Sequence, residues 1–144
     1  MRFAPEEGES AGIAVVQAMN HQFQLQLTRE NGRKKLQLLR FTSDYALPPY
    51  IPGFTSVTNR LVLAETSWDG DCVVLEMELR DNDYVVRYGT DETALTELGR
   101  GSGADINPEK VGCMVGEMLG MFAGANGKQS ENRAVFDWAD YEDL

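Results

Sequence analysis

The sequence is poor in the residues that carry metal-dependent or nucleophilic chemistry. Its 144 residues include one histidine, His21, and two cysteines, Cys72 and Cys113. No Cys-x-x-Cys pair occurs, which excludes a zinc site of the usual type. A Ser-His-Asp or Cys-His system would have to use His21, which lies in an alternating strand pattern with no motif around it. Both cysteines lie in apolar strand runs, so we expect buried free thiols.

Basic residues are also scarce. There are 13 basic against 23 acidic residues, a net charge of −10. This balance argues against nucleic acid and against anionic membrane surfaces as partners, while it is neutral toward uncharged ligands such as sugars. The apolar run at 111–123 contains Glu117 and is shorter than the roughly 20 residues of a membrane span. The first five residues do not resemble a secretory signal, and the sequence does not fix a compartment.

Short strand patterns separated by turn signals are what the sequence has in quantity. Phe23, Leu25 and Leu27 alternate with glutamines, which predicts a half-buried antiparallel strand over 21–28. Asn31-Gly32 then predicts a hairpin turn. The remaining strands are predicted over 11–18, 35–42, 58–66, 72–79, 84–88, 95–98, 111–123 and 133–141. We therefore predict one domain over 1–144, an all-β, two-sheet antiparallel β-sandwich.

The 111–123 run has a glycine at every fourth position, and Gly124 follows it. These residues are Gly112, Gly116, Gly120 and Gly124. On a helix they would form a small-residue stripe, but the strand character of the rest of the chain favours a strand. Met114, Met118 and Phe122 then share the face of the glycines, and Glu117 is the misfit on the other face. Such a face predicts that a backbone, a ring or a ligand lies close against it.

Other side chains allow a functional and a structural interpretation. Aromatic rings in loops stack on sugars, and Tyr50 in the proline-rich segment 43–54 and Trp68 in a turn are candidates; alternatively, Tyr50 pins its loop and Trp68 covers the core. Glu76 and Glu78 share a strand face and have the residue type of a glycosidase carboxylate pair, although a solvated face is the simpler interpretation. Phe136, Trp138 and Tyr141 are predicted to pack in the core or at an edge.

Three clusters of oxygen ligands offer a calcium site, at Asp69-Gly-Asp71, Asp81-Asn-Asp83 and Asp105-x-Asn107. Asp and Asn are also the preferred residues of turns, so each cluster has a structural explanation. We predict no cofactor and keep calcium as the alternative.

Three segments taken in order resemble one family. They are AGIAVVQAMNHQFQLQL at 11–27, YVVRYGTDETALTELG at 84–99, and VGEMLGMFAGANG at 115–127 followed by AVFDWADYED at 134–143. Together they resemble the C-terminal concanavalin A-like β-sandwich, a jelly roll, that follows the five-bladed propeller in glycoside hydrolase family 43. That family contains β-xylosidases and α-L-arabinofuranosidases.

The resemblance implies a domain without catalytic residues of its own, because the hydrolytic carboxylates of that family lie on the propeller. The sandwich packs on the propeller and lends a loop to the sugar pocket, where Met114-Val115-Gly116 stands in place of the family's Phe-Thr-Gly. Candidate pocket-wall residues are Met114, Tyr50 and Trp68, and candidate interface residues are Gly112, Gly116 and Met118.

The implied partners are the propeller of the parent enzyme and a neutral oligosaccharide of plant-wall xylan or arabinan. The family domain begins with more sequence, so we expect N-terminal strands to be missing. The alternative function is a free-standing carbohydrate-binding module.

Overall fold

A computed structural model of the chain describes residues 1–43, 58–111 and 116–142. The elements of these residues are β1 (Ser10–Ala18), β2 (His21–Glu30), β3 (Arg33–Ser43), β4 (Thr58–Ser67), β5 (Val74–Arg80), β6 (Asp83–Gly89), β7 (Thr96–Ser102), a 3-10 turn (Gly103–Asp105), α1 (Pro108–Val111) and β8 (Met118–Gly124). No helix in this described part is long and apolar enough to cross a membrane.

The strands form two antiparallel sheets, as predicted. One sheet has five strands in the order β4-β3-β2-β1-β8, and the other has three in the order β5-β6-β7. The β2–β3 hairpin turns at Asn31 and Gly32, whose φ angles of 53° and 73° are both positive. Asn-Gly adopts such angles readily, and they match the twist of the flanking strands. The all-β, two-sheet antiparallel sandwich is confirmed.

The hydrophobic core lies against the inward face of the large sheet. Along β2, apolar residues alternate with polar ones, as predicted, and the apolar residues point to this face. Phe23, Leu25 and Leu27 are fully buried. Their partners on β1 and β3 extend two clusters between the sheets, one around Val15, Leu38, Val86 and Ile106 and the other around Phe3, Ala11, Leu36 and Val73. The intervening glutamines of β2 face away from the small sheet.

The sandwich is tightly closed along β4 and β7, which we call the closed side. A Cβ on Gly99 would lie 2.7 Å from the Cβ of Ala64 on β4, and one on Gly101 would meet the ring of Phe23. The strand predicted over 95–98 is longer in the structure, where β7 ends at Ser102. Gly99–Ser102 extends β7 because only glycine lets this strand approach the large sheet so closely.

The opposite side, formed by β5 and β8, is open. β5 lies over β1, so β8, one place further out in the large sheet, has no described strand opposite it. Leu119 and Met121 of β8 are paired with Val15 and Ile13 and therefore face inward. They are nevertheless 59% and 54% exposed.

Three further predictions were wrong. Of the strand predicted over 111–123, residues 118–123 are confirmed as part of β8, whereas Val111 ends a helical turn and residues 112–115 lie outside the described residues. Segment 133–141 is not a strand, since it forms one bridge, between Val135 and Arg2. Trp138 and Tyr141 are accordingly exposed. Cys72 is also exposed, because the neighbouring Val73 takes the inward position in an alternating segment.

Candidate functional site

Three predicted site residues, Tyr50, Gly112 and Met114, lie outside the described residues. The predicted pocket wall and the Gly112 part of the interface therefore stay predictions. The described site residues are Trp68, Gly116 and Met118.

Trp68 follows β4 and packs on the core. Its ring meets that of Tyr88 edge-on, with the centroids 5.6 Å apart. The indole Nε1 is buried without a hydrogen-bond partner among the described residues. This placement agrees with the interpretation that Trp68 covers the core, and sugar stacking by Trp68 stays a prediction.

The outward face of β8 is apolar, and every second residue on it is glycine. Met118, Gly120 and Phe122 lie opposite Val16, Ala14 and Gly12 of β1. We call Met118, Gly120, Phe122 and Gly124 the outward β8 surface. A Cβ added at Gly116, Gly120 or Gly124 would meet no atom within 4 Å. No described residue therefore lies against these glycines.

Glu117, the misfit in the apolar pattern, has a specific contact. It immediately precedes β8 and accepts a hydrogen bond from the hydroxyl of Tyr84 on β6. Burial first, and then the neighbouring carboxylate, raise the pKa of Tyr84 above its usual range. The contact joins the large sheet to the small one, and the alternation along residues 111–123 had identified Glu117 without indicating its partner.

The Glu76 and Glu78 pair is engaged in ion pairs. Arg87 donates to Glu76 and, at 2.7 Å, to Glu78. Arg80 donates to Glu78 as well, at 2.8 Å. Hydrogen bonds from Arg87 and Arg80 hold the pKa of Glu78 below its usual range. A glycosidase general acid needs a raised pKa, so the geometry favours the structural interpretation of the pair.

The outward face of the large sheet contains a polar groove, which sequence reasoning did not identify. The cavity has a volume of about 360 Å³ and is lined by Ser10, Gln24, Gln26, Thr28, Glu30, Leu39, Phe41, Arg60 and Asn126. The glutamine alternation in β2 indicated a wet face. The contributions of β3 and β4 depend on the strand order, which the sequence pattern does not reveal.

Gln26, which lines the groove, is held by a network of hydrogen bonds through the neighbouring Gln37. Gln26 donates to Gln37 at 3.1 Å, and Gln37 donates to Glu30 and Glu65 at 3.2 and 3.0 Å. The hydrogen bond from Gln37, followed by that from Lys35, lowers the pKa of Glu65. Fixed polar groups beside a ring such as that of Phe41 suit an uncharged, hydroxyl-rich ligand.

The predicted calcium clusters are explained in part by other contacts. The carboxylates of Asp71 and Asp105 are bound by Lys34 and Arg40, at 2.5 and 2.6 Å. Asp81 and Asn82 have positive φ angles and form the turn between β5 and β6. No group of three or more metal-ligating side chains occurs in the described ranges. Calcium binding stays a prediction.

His21 has a structural environment. It is buried, its Nε2 accepts from the backbone N–H of Ser43 at 3.3 Å, and its Nδ1 lies 3.1 Å from the side-chain oxygen of Asn20. These contacts fix the start of β2 against the end of β3.

Comparison with known proteins gives one consistent result. The family model of the β-xylosidase C-terminal concanavalin A-like domain matches residues 1–142. The whole chain aligns with 25% of the length of the non-reducing end α-L-arabinofuranosidase BoGH43B of Bacteroides ovatus. The two sequences are 26% identical over this alignment. The chain thus spans about a quarter of the length of that relative.

Solved structures show the same architecture. The GH43B structure from the xyloglucan locus of Bacteroides ovatus is 24% identical with a TM-score of 0.65, and the match covers 91% of this chain and 23% of that one. The GH43 protein BlXynB of Bacillus licheniformis is 18% identical with a TM-score of 0.69. That match covers 91% of this chain and 24% of BlXynB. Both matches support the observed fold.

Proposed function

Because the chain belongs to the family of β-xylosidase C-terminal concanavalin A-like domains, we propose that it is a non-catalytic accessory domain of a family 43 glycosidase. The parent enzyme acts on plant-wall xylan or arabinan. The match over residues 1–142 carries this proposal. The paired state of Glu76 and Glu78 supports the absence of catalysis, since both carboxylates are bound by Arg87.

The absence of catalysis is tested with the purified chain and with aryl β-xylosides and aryl α-L-arabinofuranosides. We expect no turnover above buffer. Turnover that persists through repeated purification and disappears in Glu76→Gln or Glu78→Gln would contradict the proposal.

We further propose that the domain packs on the catalytic propeller through the outward β8 surface and shapes one wall of the sugar pocket. The support is the apolar, glycine-containing composition of this surface, the 59% exposure of Met118 and the absence of described residues over its glycines. Interfaces within a chain place apolar surface of this kind against a partner domain.

The packing proposal predicts an effect of Met118→Glu in the parent enzyme. A carboxylate there would be buried without a partner, so we expect the parent to lose about 2 kcal/mol of stability or more, together with activity. Met19→Glu is the matched control, because Met19 is 83% exposed in the turn between β1 and β2. Equal effects of the two substitutions on the melting temperature and the rate of hydrolysis would contradict the proposal.

The polar groove favours a second candidate function, that of a carbohydrate-binding module. Calorimetric titration of the chain with xylan and arabinan oligosaccharides tests it. Saturable binding that Arg60→Ala weakens would favour the module, whereas no heat would favour the accessory role alone. Trp68 fluorescence reports separately on a ligand near Trp68, which lies outside the groove.

A further inference from the structure

The polar groove and the outward β8 surface lie on one continuous face of the large sheet. Strand β1 runs between them, and its pairing with β8 and with β2 shows which residues share that face. Gly12, for example, lies opposite Phe122 on one side and opposite Gln26 on the other. A ligand in the groove would therefore lie beside any domain that packs on the outward β8 surface.

Small residues of β1 form the floor between the groove and the outward β8 surface. Ser10, Gly12 and Ala14 alternate with core residues of β1 and therefore face outward. A Cβ on Gly12 would lie only 1.9 Å from the carbonyl oxygen of Leu25, so a side chain there would displace the backbone of β2. The face is consequently low along this part of β1, and the longer glutamine side chains of β2 stand above it.

The amide of Gln26 is a buried polar group that belongs to the groove. Gln26 is 4% exposed and lines the cavity, and its Nε2 donates to the side-chain oxygen of Gln37 at 3.1 Å. That bond uses one of the two N–H donors of the amide. Among the described residues no other group bonds this amide, so its second donor and its oxygen can bind the hydroxyl of a ligand.

Gln24 adds a second amide, with apolar side chains next to it. Its Nε2 donates to the side-chain oxygen of Gln22 at 2.9 Å, which holds the amide in place. Across the β2–β3 pairing, Leu39 lies opposite Gln24 and Phe41 lies opposite Gln22. Amides bind the hydroxyls around a sugar ring, and apolar side chains contact its C–H face. The outward face of β2 and β3 offers both kinds of contact together.

The charges and the length of the groove restrict the ligand. Arg60 on β4 lies 3.5 Å from the carboxylate of Glu30, so the two charged residues of the lining are paired with each other. This pairing favours an uncharged ligand. The lining reaches from Ser10 on β1 to Arg60 on β4. Neighbouring strands are about 4.8 Å apart, so this distance is about 14 Å, which is longer than a single sugar ring.

We propose that the groove binds a short internal stretch of the uncharged polysaccharide on which the parent enzyme acts, and that it extends the enzyme's substrate-binding site beyond the sugar pocket. This binding mode rests on the proposed accessory role, because it requires the propeller beside the outward β8 surface. It adds Gln24, Gln26 and Phe41 as residues that contact substrate. Domain packing and sugar binding are then two functions of one face.

NMR of the side-chain amides tests binding on the chain itself. The 144-residue chain is titrated with xylotetraose and, separately, with α-1,5-L-arabinotetraose, and the NH₂ signals of Gln24 and Gln26 are followed. We expect saturable shifts of both signals with at least one tetrasaccharide. The corresponding monosaccharide should bind at least about tenfold more weakly, since a single ring reaches fewer groups of the groove.

Gln24→Ala tests whether the groove is the binding site. It removes one amide from the lining and leaves the bond between Gln26 and Gln37 in place. Loss of one hydrogen bond to the ligand should raise the dissociation constant of the tetrasaccharide about two- to tenfold. Gln129→Ala is the matched control, because Gln129 is an exposed glutamine that lines a different cavity. This control should bind the tetrasaccharide as the wild type does.

The same two variants test the extension of the site in the parent enzyme. The KM for the tetrasaccharide is divided by the KM for an aryl glycoside, which is too short to reach the groove. Gln24→Ala should raise this ratio about two- to tenfold, and Gln129→Ala should leave it at the wild-type value. Because the two substrates share the pocket, a general loss of stability would change both KM values alike.

Three results would overturn the proposal. They are the absence of saturable shifts at Gln24 and Gln26, equally tight binding of the monosaccharide and the tetrasaccharide, and an equal KM ratio in Gln24→Ala and Gln129→Ala. None of them bears on the packing of the outward β8 surface, which Met118→Glu tests separately. The groove proposal can therefore fail while the accessory role stands.

Discussion

The closed and the open side of the sandwich use glycine in opposite ways. On the closed side, Gly99 and Gly101 lie directly under Ala64 and Phe23, and there is no space for a side chain. On the open side, Gly120 and Gly124 face outward with no atom within 4 Å of an added Cβ. Glycine in a strand thus marks a completed contact in one region and an available surface in the other.

The difference separates the contacts that this chain completes alone from those that, on our proposal, the parent enzyme completes. Burial of the closed side contributes to folding of the chain itself. The exposed apolar residues of the open side, such as Leu119 and Met121, contribute only when something covers them. The destabilising effects of substitutions on the closed side and on the open side should therefore differ most in the isolated chain.

The largest expected effect is that of Phe23→Ala. Phe23 is fully buried between the sheets, so its truncation should cost about 3–5 kcal/mol of unfolding free energy. Phe122→Ala on the open side should cost about 1 kcal/mol or less. Urea denaturation of both variants measures the contrast, and Phe23→Leu supplies a graded value if Phe23→Ala does not fold. Similar costs on the two sides would contradict the comparison.

Gly101→Ala and Gly120→Ala apply one substitution to both sides. The new methyl group would overlap the Phe23 ring at position 101, and overpacking of this kind costs about 1–3 kcal/mol. At position 120 the change should stay within about 0.5 kcal/mol. Thermal unfolding measures both, and a Gly120→Ala variant as unstable as Gly101→Ala would show that the open side is not open.

A smaller effect, dependent on pH, is expected at Glu9. Its carboxylate accepts hydrogen bonds from Ser130, from the backbone of Glu6 and from Asn132. These bonds, that from Ser130 foremost, lower the pKa of Glu9 from 4.5. A lowered folded-state pKa gives stability that is present above the unfolded-state value and is lost as the pH falls through the folded-state value.

Glu9→Gln should therefore lower the melting temperature most above pH 4.5. The difference in melting temperature between the variant and the wild type should become smaller in more acidic buffer. Glu6→Gln is the matched control, because only the backbone of Glu6 takes part in these contacts. A gap that widens on acidification would contradict the assignment.

The smallest expected effect is that of Arg87→Gln. It removes the partner of Glu76 and Glu78 on a solvated face, where ion pairs contribute at most about 1 kcal/mol. The pKa of Glu78 should rise toward its usual range, and NMR titration of its side-chain carbonyl measures the shift. An unchanged pKa would show that Arg80 alone sets it.

Local signals along the chain were sufficient to predict the core face of β2 and its hairpin with β3. The pattern of β2 correctly predicted Phe23, Leu25 and Leu27 as core residues, and Asn31-Gly32 correctly predicted the hairpin, because both signals are local. The predicted end of the strand at residue 98 was wrong because glycine serves a long-range contact there. At Gly99 and Gly101 the reason for glycine is a side chain from another strand, and no local signal reports it.

The two candidate surfaces also differ in whether local sequence signals could predict them. The face shared by Met118, Gly120 and Phe122 follows from strand periodicity and is confirmed by the β1–β8 register. The groove that includes Arg60 requires the order of β2, β3 and β4 in one sheet, which periodicity does not encode. The strand predicted over 133–141 failed for a physical reason, since a strand needs a partner and, among the described residues, only Arg2 pairs with this segment.

Methionine oxidation tests most directly whether the open side is a docking side. Met118 and Met121 are 59% and 54% exposed, and Met19, at 83%, is an internal reference away from β8. Peroxide is applied to the 144-residue chain and to the parent enzyme, and oxidation of each methionine is followed by mass spectrometry. The account predicts that Met118 and Met121 oxidise readily in the chain and are protected in the parent, while Met19 reacts alike in both. Equal oxidation of Met118 and Met121 in the two proteins would contradict it.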